Sequence, residues 1–152
     1  MTKKAIIQFF SVFVLIFLLD QFIKLQFLSG YRFESKCISL VLALNKGVAF
    51  SMFSFLGEWL KYIQLGLIFI LIYYFYKEKI FLKHPVISAI LLAAAYSNIF
   101  DRFVRGGVVD YVYWHCGFNF AIFNFADVCI DFSLLMFAYF YFFGKISTSK
   151  VA

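Results

Sequence analysis

The sequence predicts an all-α membrane protein with four transmembrane helices and a small extracytoplasmic β-like platform in the first outer loop. Three observations predict it. The composition is 64% hydrophobic and only 14% charged, with a mean hydropathy of +0.91, well outside the usual soluble range. A length of 152 residues has room for four apolar helices of about 20 residues, the number needed to cross a bilayer core of roughly 30 Å. The lysines, finally, are dispersed and mostly flank the apolar runs. No stretch remains that could hold a separate water-soluble core, so residues 1–152 read as one integral membrane domain.

The first span, at about 5–25, resembles a signal peptide only superficially. Its apolar run continues into Asp20 with no small-residue cleavage site after it, so the segment is expected to stay as a helix. The second span lies at about 60–76, the third at about 85–104 and the fourth at about 121–143. Lys3 and Lys4 precede the first span, Lys77, Lys79 and Lys83 fill the link between the second and third, and Lys145 and Lys150 follow the fourth. The positive-inside rule makes that side cytoplasmic, so both termini face in and the protein crosses the membrane several times. Arg32, Lys36, Lys46, Lys61 and Arg105 lie on or near the other side, so the bias is moderate. The net charge of +6 belongs to this topology signal and not to nucleic-acid binding. In the outer loop, ISLVLAL followed by NKGVAFSMF suggests short strands and a turn, an amphipathic platform resting on the membrane. Cys37, Cys116 and Cys129 are odd in number and lack metal-like spacing, so the sequence supports neither a disulfide framework nor a zinc site. Trp59, Tyr111 and Trp114 suit an interfacial aromatic belt.

This topology gives each acid a depth. Asp20 and Asp101 sit near the outer ends of the first and third helices, Asp110 in the loop that follows, and Asp127 near the start of the fourth helix. They converge on the outer boundary, where buried carboxylates mark function by default. Each has a plainer reading. Asp20 and Lys24 in DQFIK are a favourable i,i+4 pair, Asp101 can pair with Arg105, and Asn124 with Asp127 in FNFAD forms a capping box at the dipole-favoured helix start. RGGVVDY is harder to dismiss. Gly106 and Gly107 end the third helix, and the extended valines return Asp110 toward the helix ends. Asp131, one turn beyond Asp127 on the same face, has no assigned role.

Two carboxyl groups about 4 Å apart repel by about 4 kcal/mol at an effective dielectric of 20, so one keeps its proton. Such a pair can take a proton from water with one member and donate to a substrate carbonyl with the other. This chemistry needs no metal or cofactor, although a carboxylate-only magnesium site is an alternative. A transporter or proton pathway is a second alternative, disfavoured because the inner halves of the helices are almost entirely apolar. A non-enzymatic assembly partner would leave the convergent acids unexplained.

Taken in order, DQFIK, NKGVAFS, NIFDRFVRGGVVDY and FNFAD resemble the motif blocks of bacterial lipoprotein signal peptidase, the type II signal peptidase family, over nearly the whole chain. The resemblance implies a membrane aspartic endopeptidase that removes the signal peptide from lipid-modified prolipoproteins, cleaving just before the diacylglyceryl-modified cysteine, with no cofactor and no metal. It implies Asp110 and Asp127 as catalytic dyad. Asp20, Lys24, Asn45, Gly47, Asn98, Asp101, Arg102, Asn124 and Ala126 match positions that support the dyad or hold substrate. Three positions depart from the pattern: Ser97, where glycine is common; Val128, often serine; and Asp131, where small or apolar residues are common. The expected partners are the prolipoprotein substrates and membrane lipids. A monomer is expected because few small-residue contact motifs are evident.

Overall fold

The computed structural model describes residues 3–47 and 52–148. Four of its helices are long and apolar enough to cross a membrane. The first, α1 (Lys3–Leu28), contains neither glycine nor proline and rises about 39 Å over its 26 residues at about 1.5 Å each. After a short linker come β1 (Phe33–Glu34) and β2 (Ile38–Asn45), then a 3₁₀ turn at Ser54–Leu56, the helix α2 (Trp59–Lys77) and the single turn α3 (Ile80–Lys83). Next are α4 (Pro85–Arg105), β3 (Val108–Trp114) and α5 (Phe125–Thr148).

The expected spans are present, with boundaries shifted by a few residues. The largest shift is at the fourth, expected from about residue 121 but starting at Phe125. Its first residues are held in the sheet instead, where Phe123 bridges Val112. Proline at the first position of α4 removes an N–H that has no helical partner anyway. At the other end Gly106 takes the left-handed conformation, φ 74°, that terminates the helix. Gly107 then lets β3 pass close to β2. A Cβ there would meet Leu44 Cγ at 2.9 Å and the Asn45 carbonyl oxygen at 3.1 Å.

Helix α4 is the centre of the bundle, packing against α1, α2 and α5. Ser88, Ala89, Ala93, Ala94 and Ser97 are all fully buried on it, and such short side chains let neighbouring helices approach closely. The sequence reading counted few small-residue contacts. The structure shows them concentrated on this one helix, within the bundle. The arrangement of α1 is inverted relative to a soluble helix. Phe10, Leu15, Leu18 and Phe22 are exposed toward the lipid, while Asp20, Gln21 and Lys24 are buried.

The sheet has the order β1-β2-β3, all antiparallel. It is therefore not confined to the first loop, as the sequence suggested, but takes its third strand from the segment after α4. Asn45 pairs with Val108, Ala43 with Asp110 and Ile38 with Trp114, with one irregularity between Leu40 and Ala43. This register brings Cys37 and Cys116 together just beyond its last pair, and they form a disulfide across 79 residues of sequence. The cysteine count and spacing gave no support for a disulfide framework, and the register corrects that reading with one bond. The odd count hid a pair because Cys129 is buried in α5, away from the sheet.

Candidate active site

The end of the bundle that carries the sheet holds nearly all the predicted site residues. Asp110 lies in the middle of β3, only 2% exposed, flanked by the buried Val109 and Tyr111. Asp127 is in the first turn of α5. The expected capping box forms in both directions: the Asn124 N–H donates to Asp127 Oδ2 at 3.0 Å and the Asp127 N–H donates to Asn124 Oδ1 at 2.9 Å. The remaining amide nitrogen of Asn124 donates to Asp110 Oδ1 at 2.7 Å. One buried asparagine thus touches both acids.

Two further asparagines complete the setting. Asn45, at the end of β2, donates to Asp110 Oδ2 at 2.9 Å. Asn98, on α4, donates to Asp127 Oδ1 at 2.9 Å and accepts from Asn124 at 3.2 Å. Each acid therefore receives two hydrogen bonds, and each still lines a cavity of about 430 Å³. Burial pushes the Asp110 carboxyl up to about 6, and the neighbouring Asp127 adds to the rise against the two asparagine donors.

Below this layer lies a buried ionic cluster. Lys24 Nζ is 2.7 Å from Asp20 and 2.8 Å from Asp101, with all three side chains fully buried. The same Nζ donates to Asn98 Oδ1 at 2.8 Å. The cluster is not a solvated i,i+4 pair, because each acid fixes backbone elsewhere. Asp20 Oδ1 accepts the Ala126 N–H at 3.0 Å, tying α1 to the start of α5. Asp101 Oδ2 accepts the Val109 N–H at 3.2 Å, tying α4 to β3 directly beside Asp110. The expected Asp101–Arg105 pair is also present. Arg102 donates to the carbonyls of Gly47 and Asn45, the latter at 3.4 Å, and so anchors the end of β2. The Gly47 N–H in turn donates to Asn45 Oδ1 at 3.0 Å, a turn glycine in a buried position. Residues 48–51 of the NKGVAFS block lie outside the described residues.

Three participants escaped the sequence reading. Gln21 donates to Ser97 Oγ at 2.8 Å and to Asp101 Oδ1 at 3.0 Å, and it accepts from Arg105 at 2.9 Å. Ser97, noted only as a departure, donates to Asp20 Oδ2 at 2.6 Å. Its spacing of four residues from Asp101 on a helix was the available signal. Tyr111, assigned to the aromatic belt, is 5% exposed. It stacks on Phe27 with ring centroids 4.2 Å apart, and its hydroxyl accepts the Phe125 N–H at 2.9 Å. Trp59, by contrast, is 72% exposed, as a belt residue would be.

The cavity is lined by α4, through Ala95 and Ile99, by residues of α2 and α5, by the segment at 120–123, and by Asn45 of β2 and Val108 and Asp110 of β3. Two carboxyl groups held by one asparagine, one through its side-chain amide and the other through its backbone N–H, at an apolar groove between membrane-spanning helices, can activate water against a peptide bond.

Comparison with known proteins agrees with this geometry. The family described as Signal peptidase (SPase) II matches residues 12–143. A lipoprotein signal peptidase of Wolinella succinogenes is 56% identical over 142 residues, covering 93% of this chain and 97% of that protein. One from Helicobacter pylori is 48% identical over 151 residues, covering 99% and 96%. A solved bacterial membrane enzyme shares the fold with a TM-score of 0.75 at 24% identity, covering 95% of this chain and 92% of its own. The chain belongs to the signal peptidase II family of aspartic peptidases.

Proposed function

We propose that this chain removes the signal peptide from prolipoproteins by cutting just before the diacylglyceryl-modified cysteine, with Asp110 and Asp127 as the catalytic pair. The observation that carries the assignment is Asn124, whose side chain hydrogen-bonds Asp110 while its capping box holds Asp127. Lipoprotein signal peptidases are the relatives, and a lipid-anchored substrate can present its scissile bond only at the membrane boundary, the depth that the four-span topology assigns to both acids.

The first turn of α5 favours negative charge at Asp127, and burial favours a protonated Asp110. In this assignment Asp127 takes a proton from water, whose oxygen attacks the carbonyl carbon while Asp110 donates to the carbonyl oxygen. Collapse of the tetrahedral intermediate breaks the C–N bond, Asp127 gives its proton to the departing amine, and Asp110 takes back a proton from the intermediate's hydroxyl. Asn45, Asn98 and Asn124 orient the carboxyl groups, and Lys24, Asp20, Asp101 and Arg102 hold the elements that carry them.

The same reading makes residues 1–152 one membrane domain, monomeric, with both termini cytoplasmic. The lysines of the end opposite the sheet support that orientation, as does a disulfide at the sheet end, where an extracytoplasmic space would be oxidising. The decisive experiment compares lipidated and unlipidated precursors with wild type, Asp110→Asn and Asp127→Asn. Wild type should cut only the lipidated form, both variants should insert normally and cut neither, and added chelator should change nothing. Near-normal processing by either variant removes that residue from the pair.

A further inference from the structure

The groove below the dyad is not uniformly apolar. Among its apolar lining, including Leu67, Ile68, Ile99 and Ile130, two polar side chains face the same space: Gln64 from α2 and Asp131 from α5. Neither hydrogen-bonds or ion-pairs with another described residue. They come from two different helices, each at a similar distance from the start of its own helix. Gln64 is five residues from the start of α2 and Asp131 six from the start of α5, about 7.5 and 9 Å at about 1.5 Å per residue. An exposed carboxyl and an amide at this level are costly in lipid unless something uses them.

A signal segment arrives as an apolar helix whose backbone groups satisfy one another. To be cut, the chain at the scissile bond has to become extended, which frees backbone N–H and C=O groups where no water can serve them. Asp131 lies four residues beyond Asp127, about 6 Å deeper along α5, and an extended chain advances about 3.3 Å per residue. Its carboxyl is therefore level with the peptide about two residues before the cut, on the signal-peptide side.

We propose that Asp131 and Gln64 are positioning residues for the unwound turn of the signal segment, Asp131 accepting a backbone N–H about two residues upstream of the cleaved bond and Gln64 donating to a neighbouring carbonyl. The pair captures the substrate backbone, whatever its side chains, and so holds the extended conformation that the dyad needs. This inference rests on the dyad reading above and deepens it.

The test uses the purified full-length enzyme and a lipidated precursor peptide in which single amides within three residues upstream of the cut are replaced by esters, deleting one N–H at a time. Wild type should lose about tenfold in kcat/KM for the ester about two residues upstream and little for the others, the size expected for one hydrogen bond to a carboxyl group. Asp131→Leu should lose about tenfold on the all-amide peptide and show no further loss with that ester. Asp131→Asn, which keeps an acceptor oxygen, should recover most of the activity. Gln64→Leu should lower kcat/KM without changing which ester matters.

Equal cleavage of ester and amide by wild type overturns the proposal, with no variant involved. So does full amide activity in Asp131→Leu, or a loss in that variant that still adds to the ester effect. Activity retained by Asp110→Asn and Asp127→Asn would instead overturn the dyad reading. With those two inactive, the ester series bears on Asp131 alone.

Discussion

The side-chain amide of Asn124 donates to Asp110 Oδ1 at 2.7 Å, joining the middle of β3 to the residue that caps α5. A helix cap and a tether for Asp110 are here the same side chain. Substituting Asn124→Ala should cost about 1 kcal/mol in stability as a lost cap. It should cost far more in rate, about 10²-fold in kcat, because it frees both acids to drift by an ångström. Thermal unfolding and steady-state cleavage of a lipidated peptide separate the two effects. A rate loss no larger than the stability loss explains would reduce Asn124 to a cap.

Lys24 is fully buried between Asp20 and Asp101. Lys24→Met removes the only cation in contact with Asp20 among the described residues, and breaking such a buried cluster costs about 3–5 kcal/mol. The variant should express poorly and unfold at markedly lower temperature. Asp101→Asn should be milder, since it keeps an oxygen for the Val109 N–H, and should retain part of the activity. Loss as complete as that of Asp110→Asn would place Asp101 in the chemistry.

The disulfide between Cys37 and Cys116 makes a prediction of thiol counting. The protein denatured without reductant should take up one thiol label, at Cys129, and after reduction three. Replacing both sheet cysteines with serine should cost about 2–4 kcal/mol, measured as a lower unfolding midpoint, with the spans still inserted. Three labels without reductant would show that the bond does not form in the membrane-inserted protein.

The four helices were legible because each is a long apolar run bounded by lysine, glycine or proline, signals that depend on nearby residues alone. The positions proposed as the dyad were legible for a related reason. Asn124–Asp127 is a local capping box, and RGGVVDY reverses the chain within a few residues. What the sequence concealed depended on distant pairing. β3 joins β2 across more than sixty residues, and only that register reveals that Cys37 can reach Cys116. Gln21 and Ser97 sit beside the singled-out Asp20 and Asn98, but their partners, in α4 and α1 respectively, appear only when the two helices are side by side. Tyr111 was misread because a tyrosine near a helix end suits an interface equally well, and only its stacking on Phe27 shows that it faces inward.

The last prediction concerns pH. Burial raises the Asp110 carboxyl from 3.8 to about 6, which means that folding favours its protonated form. A carboxyl raised in this way contributes its full stability below the unfolded value near 3.8, and that contribution declines as pH rises through about 6. Asp110→Asn cannot ionise, so its unfolding midpoint should gain on wild type between pH 4 and pH 7 and keep a constant lead above that. In the proposed mechanism the same proton is donated to the carbonyl, so kcat/KM of wild type should fall on the alkaline side, with an apparent value that belongs to the Asp110–Asp127 pair and not to either acid. Unfolding midpoints for both proteins across this range check the first claim without any substrate. A difference between them that stays flat from pH 4 to pH 7 would show that Asp110 titrates as an ordinary carboxyl, and the proton assigned to it would have to reside elsewhere.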